Sequence, residues 1–196
     1  MRASRPSRLI GRLYLRAFGW RVAGTLPFRR AVVIAAPHTS NWDLPFMLAV
    51  AYALGVKPSW LGKRELFRPP FGWILRWLGG VAVDRRAANG LVGEAVARFA
   101  ALDDLLLVVP PSGTRKRASH WKSGFYHIAR GAGVPIVCAY LDWRTKVGGI
   151  GPAITPSGDV AADMARIRDF YATKQAKYPT QATPIRLREE AASDAA

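Results

Sequence analysis

The sequence predicts an α/β fold: a single domain whose largely parallel or mixed sheet is flanked by helices, with a basic amphipathic helix at the N-terminus. Three observations predict it. The runs Ala31–Ala36, Leu105–Val109 and Val134–Leu141 have strand length and are continuously apolar, as in strands buried on both faces of a parallel sheet. The segments Leu44–Leu54, Ala87–Leu102 and Trp121–Arg130 read as helices between them. The two patterns alternate along the chain, which is the mark of βαβ organisation.

In order, residues 7–22 read as a basic amphipathic helix. At 100° per residue Arg5, Arg8, Arg12 and Arg16 form one stripe. Leu9, Ile10, Leu13, Tyr14, Ala17, Phe18 and Trp20 fill the other side, with Leu15 the exception. Such a helix suits an anionic membrane surface, or it docks on its own domain with its arginines in water. Ala31–Ala36 is a strand, and Leu44–Leu54 a helix that tolerates Pro45 in its first turn. Ser59–Gly62 reads as a strand, Phe71–Leu78 as a short Trp-rich helix ended by Gly79-Gly80, and Val81–Asp84 as a strand leading to Arg85. After the strand Leu105–Val109 comes the loop 110–117. Trp121–Arg130 is a helix ended by Gly131 and Gly133, Lys146–Ile150 a shorter strand, and Ala161–Lys177 a late helix. The boundaries are 1–22 for the N-terminal helix, 23–178 for the core and 180–196 for a flexible, Ala/Glu/Arg-rich tail.

Composition narrows the function. A chain of 196 residues, half of them hydrophobic, builds one domain with a real core. The single cysteine, Cys138, excludes an internal disulfide framework and reads as core, and three scattered histidines give no metal site. The net charge of +16 calls for an anionic partner: nucleic acid, an anionic membrane or a phosphorylated substrate. The longest apolar stretch, Leu44–Val56, is too short to span a bilayer, and no apolar segment of signal-peptide type follows the basic N-terminus.

His38 follows the first core strand, and Asp43 follows it five residues later at the start of a helix. An imidazole titrates near neutral pH, and a carboxylate fixes its tautomer and stabilises its charged form, so the pair suits deprotonation of a hydroxyl. A spacing of five needs a turn between the two, which Pro37, Asn41 and Pro45 supply. The plain alternative is a loop histidine beside a helix cap. Ligands in parallel sheets bind beyond the carboxyl ends of the strands, and His38, Arg85 and the loop 110–117 all follow such ends.

Four blocks in order resemble the lysophosphatidate (1-acylglycerol-3-phosphate) acyltransferase family, the glycerolipid acyltransferases marked by an H-x4-D motif. They are His38-Thr39-Ser40-Asn41-Trp42-Asp43, Gly80-Val81-Ala82-Val83-Asp84-Arg85, Pro111-Ser112-Gly113-Thr114-Arg115 and Val134-Pro135-Ile136-Val137. The resemblance runs from about residue 30 to about 155 and implies transfer of a fatty acyl group from a thioester of coenzyme A or acyl carrier protein to a lysophospholipid hydroxyl. No cofactor or metal is then needed. The resemblance makes His38 the general base and Asp43 its orienting acid. Arg85 and Arg115 become phosphate ligands by bidentate guanidinium contacts. Gly113 gives close backbone approach, Thr114 a hydrogen bond, and Lys63 and Lys122 a second line of charge. Leu66, Phe67, Phe71, Trp73, Ile74 and Trp77 are candidates for an acyl groove or for ordinary core packing.

The third block departs from the family pattern, where a glutamate stands in place of Ser112. Ser112 is expected to orient the acceptor or a neighbouring arginine, and the acceptor's identity opens with the change. The fourth block's later proline is Cys138 here. A Ser112–His38–Asp43 hydrolase triad is disfavoured, because Pro110-Pro111-Ser112-Gly113 is not a nucleophile elbow. The leading reading is a phospholipid-synthesising acyltransferase peripheral to the cytoplasmic side of the cell membrane. The alternatives are transfer to another lipid acceptor, or a non-catalytic protein that binds anionic lipid or nucleic acid; nucleic acid is disfavoured because no RNA-binding motif is present.

Overall fold

The computed structural model describes residues 3–83 and 90–193. In chain order the elements are α1 (Arg5–Ala17), β1 (Arg21–Ala23), β2 (Arg30–Ala36), α2 (Asp43–Ala53), β3 (Ser59–Lys63), α3 (Gly72–Trp77), β4 (Gly80–Val83), α4 (Gly90–Ala101), β5 (Leu105–Val109), α5 (Gly124–Ala132), β6 (Ile136–Asp142), β7 (Val147–Ile154), α6 (Val160–Tyr171) and α7 (Arg188–Ser193). Among the described residues the strands form one mixed sheet in the order β1-β7-β6-β2-β5-β3-β4. β2 is central and parallel to β5 and β6, and β3 and β4 keep the same direction. Only β7, antiparallel to β6, and β1 beside it run the other way. The carboxyl ends of β2, β5 and β6 therefore share one edge.

Alternation along β2 divides the core. Val32, Ile34 and Ala36 pack with Phe99, Phe125 and Met164 on the side covered by α4, α5 and α6. Ala31 and Val33 pack with Leu106 and Val137 on the opposite side. Cys138 lies in this interior, where burial pushes its thiol up to about 12, against a weaker lowering by the Tyr171 hydroxyl. The reactive thiolate is thus scarce at pH 7 to 9. We expect a thiol reagent to modify native protein at the rate of unfolding and denatured protein at once; fast native labelling at pH 8 would contradict this core assignment.

The N-terminal helix corrects the expected boundary and face. It ends at Ala17, and Gly19, with φ at 69°, turns the chain into the edge strand β1. Trp20 leaves the helix and packs against Phe46 and Trp143. α1 docks on α2 through Gly11 and through Leu15, the residue that did not fit the wheel. A Cβ on Gly11 would lie 2.6 Å from the Ala49 carbonyl oxygen, so only glycine allows this approach. Leu9, Ile10 and Leu13 are instead 58%, 65% and 57% exposed. The helix has three sectors: a docked one, a basic stripe and an exposed apolar stripe.

Two further expectations change toward the C-terminus. α6 stops at Tyr171, not Lys177. The chain beyond it is drawn across the sheet edge, where Gln175 N–H donates to Asp142 Oδ1 and Trp143 N–H donates to the Gln175 carbonyl. Trp121 lies outside α5 and bridges to Leu187, which is 1% exposed. The segment from 180 to 190, expected to be a flexible tail, is thus tied to the core. Arg168 adds an ion pair to Glu190 at 2.6 Å.

Candidate active site

β2 delivers His38 to the carboxyl edge through the cis Ala36–Pro37 bond. Its Nδ1 lies 3.1 Å from Asp43 Oδ2. Asp43 is the first residue of α2, but it does not act as the helix cap. Its Oδ2 also accepts the N–H groups of Thr39 and Ser40, each at 2.9 Å, and its Oδ1 accepts Trp143 Nε1–H at 3.0 Å. The carboxylate is 1% exposed and satisfied by four donors, the imidazole 17% exposed. A buried carboxylate so supplied holds the histidine loop in one shape. It also selects the Nδ1–H tautomer, which leaves the Nε2 lone pair as the base.

Trp143 is the main residue of the site that was not anticipated. Its ring is held by edge contacts with Trp20 and Phe46, and Lys177 Nζ stands 4.2 Å from its centroid. It follows the carboxyl end of β6, so the rule that marked His38 and the loop 110–117 would have marked it. Tyr178 N–H donates to Thr39 Oγ1, and Gln181, with its amide nitrogen facing them, donates to the Thr39 and Arg115 carbonyls at 3.3 and 3.1 Å. The chain after α6 thus staples the histidine loop to the loop after β5.

That second loop is built on a turn at Gly113, φ 65°, with Gly113 N–H donating to the Pro110 carbonyl. A Cβ at Gly113 would sit 2.9 Å from Lys122 Cε, so the lysine stem lies over the glycine and brings its ammonium beside the loop. Ser112 is buried, and its hydroxyl donates to the Thr114 carbonyl at 2.7 Å. Its hydroxyl therefore donates to backbone within the loop, not to the acceptor or arginine that it was expected to orient. Thr114 Oγ1 accepts Lys116 N–H, which leaves its hydroxyl proton to donate. Arg115 is exposed and borders the same cavity as His38. Arg85 lies outside the described residues, as do the side chains of Lys63 and Leu66.

Two cavities meet at His38. One, of about 390 Å³, has walls of Leu26, Met47, Leu48, Leu54, Val108 and Ile150, with His38 and Arg115 also bordering it. The other, of about 500 Å³, is bounded by Ser112, Trp121, Arg144 and the chain after α6. Ala36, Pro37 and His38 belong to both. Phe67, Phe71, Trp73, Ile74 and Trp77, candidates for an acyl groove or for core packing, border neither cavity. Phe67 is buried, whereas Phe71, Trp73 and Trp77 are 67%, 68% and 65% exposed and point outward. Among the described residues no group of three His, Cys, Asp or Glu is placed to hold a metal ion.

Known proteins resemble this chain over the same region. A family model described as Acyltransferase matches residues 20–142. The chain is 33% identical over 144 residues to the 1-acyl-sn-glycerol-3-phosphate acyltransferase of Haemophilus influenzae, which is 67% of this chain and 57% of that protein. It is 31% identical over 112 residues to the Escherichia coli protein of the same name, or 54% of this chain and 44% of that one. The chain spans about half the length of these curated relatives. The crystal structure of the 1-acyl-sn-glycerophosphate (LPA) acyltransferase PlsC from Thermotoga maritima shares the fold, with a TM-score of 0.57 at 19% identity, over 85% of this chain and 75% of that one.

Proposed function

The chain belongs to the acyltransferase family, and from that premise we propose that it moves a fatty acyl group from an acyl thioester to the hydroxyl of a lysophospholipid, with 1-acylglycerol-3-phosphate as acceptor. The observation that carries the reading is the His38–Asp43 pair, whose histidine borders an apolar cavity that Arg115 borders too. His38 Nε2 removes the proton of the acceptor hydroxyl as its oxygen attacks the thioester carbonyl. Asp43 stabilises the imidazolium. Collapse of the tetrahedral intermediate breaks the carbon–sulfur bond, and the departing thiolate takes the proton back from His38. An ester and a free thiol result, and the base is restored without an acyl-enzyme.

The apolar cavity suits the acyl chain, since each methylene moved out of water contributes about 0.8 kcal/mol. Arg115 suits the acceptor phosphate, with Lys122 and Thr114 as further contacts and Arg85 and Lys63 as sequence-level candidates for the same cluster. A second acceptor class stays in play on one observation: Ser112 leaves the loop without a carboxylate and bonds to the Thr114 carbonyl. The test supplies purified protein with acyl-CoA or acyl carrier protein thioesters and a panel of lysolipids, and follows free thiol. Release with lysophosphatidate is expected. No release with any lysolipid would sink the reading, and release only with another lysolipid would move it to that acceptor.

The same reading places the chain peripherally on an anionic bilayer, the cytoplasmic face being the negative one. No helix among the described residues is long and apolar enough to cross a membrane. Support comes from α1, where the stripe of Leu9, Ile10 and Leu13 runs beside the exposed arginines. Exposed Trp73 and Trp77 suit the headgroup level as well. Changing Leu9, Ile10 and Leu13 together to serine removes apolar area that the fold does not use. We expect sedimentation with anionic liposomes to fall by about tenfold or more, at unchanged Tm. Equal sedimentation of the variant would refute anchoring through α1.

A further inference from the structure

We propose that the second cavity receives the phosphopantetheine arm of the acyl donor, an inference that rests on the acyl-transfer reading above. A thioester is a junction. Its acyl chain leaves one side of the reacting carbon and its carrier arm leaves the other. The two cavities reproduce this division, because both are bordered by Ala36, Pro37 and His38 and then part. With the acyl chain in the apolar cavity, the sulfur points into the other. At about 500 Å³, that cavity is in the range that encloses a drug-sized ligand.

Its chemistry fits the arm better than it fits a second hydrocarbon chain. Phosphopantetheine carries two amides and one hydroxyl along a thin stem, and ends in a phosphate. Ser112, Thr173 and Gln175 offer polar groups among Pro111, Ala172 and Ala182. Arg144 and Lys174 are cations on the same lining. Lys174 Nζ rests 4.7 Å from the Tyr140 centroid and 5.2 Å from that of Phe170, which holds the charge in place without neutralising it. The nearby Asp142 carboxylate is engaged by Thr145 Oγ1 and by the N–H groups of Arg144 and Gln175. Arg115, the candidate for the acceptor phosphate, borders the other cavity. Much of the wall comes from residues 171–185, beyond the part of the chain that the family model matches.

The experiment narrows the cavity with Ala182→Trp and removes its charge with Lys174→Ala plus Arg144→Ala, and takes KM for donor and acceptor separately. We expect Ala182→Trp to raise donor KM by about tenfold or more and to leave lysophosphatidate KM unchanged. Acyl-CoA and acyl carrier protein donors should be affected alike, since they share the arm. The charge variant should weaken both carriers but not a short S-acyl N-acetylcysteamine thioester, which has no phosphate. Calorimetry with phosphopantetheine alone guards against misfolding: folded wild type binds it, and the folded charge variant binds it at least about tenfold more weakly. A rise in acceptor KM instead, or loss confined to the coenzyme A donor, would overturn the assignment. So would unchanged donor KM in an active enzyme. Wild type that transfers no acyl group from any donor removes the acyl-transfer reading itself, so the two failures are distinct.

Discussion

Replacing His38 with alanine is expected to lower thiol release from acyl-CoA by about 10² to 10⁴-fold, the usual worth of general base assistance, with KM for the donor little changed. The imidazole is partly exposed and contributes one bond to a carboxylate that keeps three other donors. Its loss therefore leaves Asp43 satisfied, and Tm should shift by only a few degrees. The test is steady-state kinetics on the folded variant beside thermal unfolding. Turnover within tenfold of wild type would remove His38 from the chemistry, whatever its position. A variant at Asn41, which borders the apolar cavity without joining the hydrogen bonds of the pair, serves as a control for crowding at the mouth.

The parts of this site that were legible in the sequence are those held close together along the chain. His38 and Asp43 are five residues apart, and Ser112 to Arg115 form one turn. Order along an α/β chain then fixes which loops meet at the carboxyl edge. The strand-end rule reaches Trp143, but its bond to Asp43 was not legible, because it joins residues 100 apart and depends on which strand lies next to β2. Gln181 is 142 residues from Thr39 and 66 from Arg115, in a segment whose composition suggested a loose tail. The helical wheel of α1 failed for another reason. Apolar residues cover so much of that helix that periodicity alone cannot choose the docked face; Gly11, which looks like a weak point in a helix, chose it by permitting close approach to α2. The aromatics of α3 show the converse. Their hydrophobicity suggested a groove lining, yet the cavity is lined by aliphatic residues of α2 and the sheet, and the tryptophans face outward.

Replacing Asp43 with asparagine is expected to cost both turnover and stability, and the four donors explain why. An amide keeps one acceptor oxygen. If that oxygen takes the place of Oδ2, it still accepts from Thr39, Ser40 and His38, but the amide nitrogen then faces Trp143 Nε1–H and two donors meet. The reverse orientation sets the nitrogen against three donors and is worse. One buried N–H left unsatisfied costs about 1–3 kcal/mol, which in a domain of this size lowers Tm by roughly 2–12 °C. The imidazolium formed during transfer also loses its counter-charge, and a fall in kcat on the order of 10²–10⁴-fold follows. The orientation argument makes a sharper claim that kinetics alone would not. Trp143→Phe in wild type strips a bond from a buried carboxylate and destabilises the fold. In the Asp43→Asn background it removes the opposing donor, so it should cost at least about 1 kcal/mol less there. Denaturant unfolding of the four proteins of this cycle measures the coupling. Additive effects would mean that Trp143 merely packs beside the pair. Coupling of the expected sign would make it the residue that holds the carboxylate aligned, one strand away from the base that it serves.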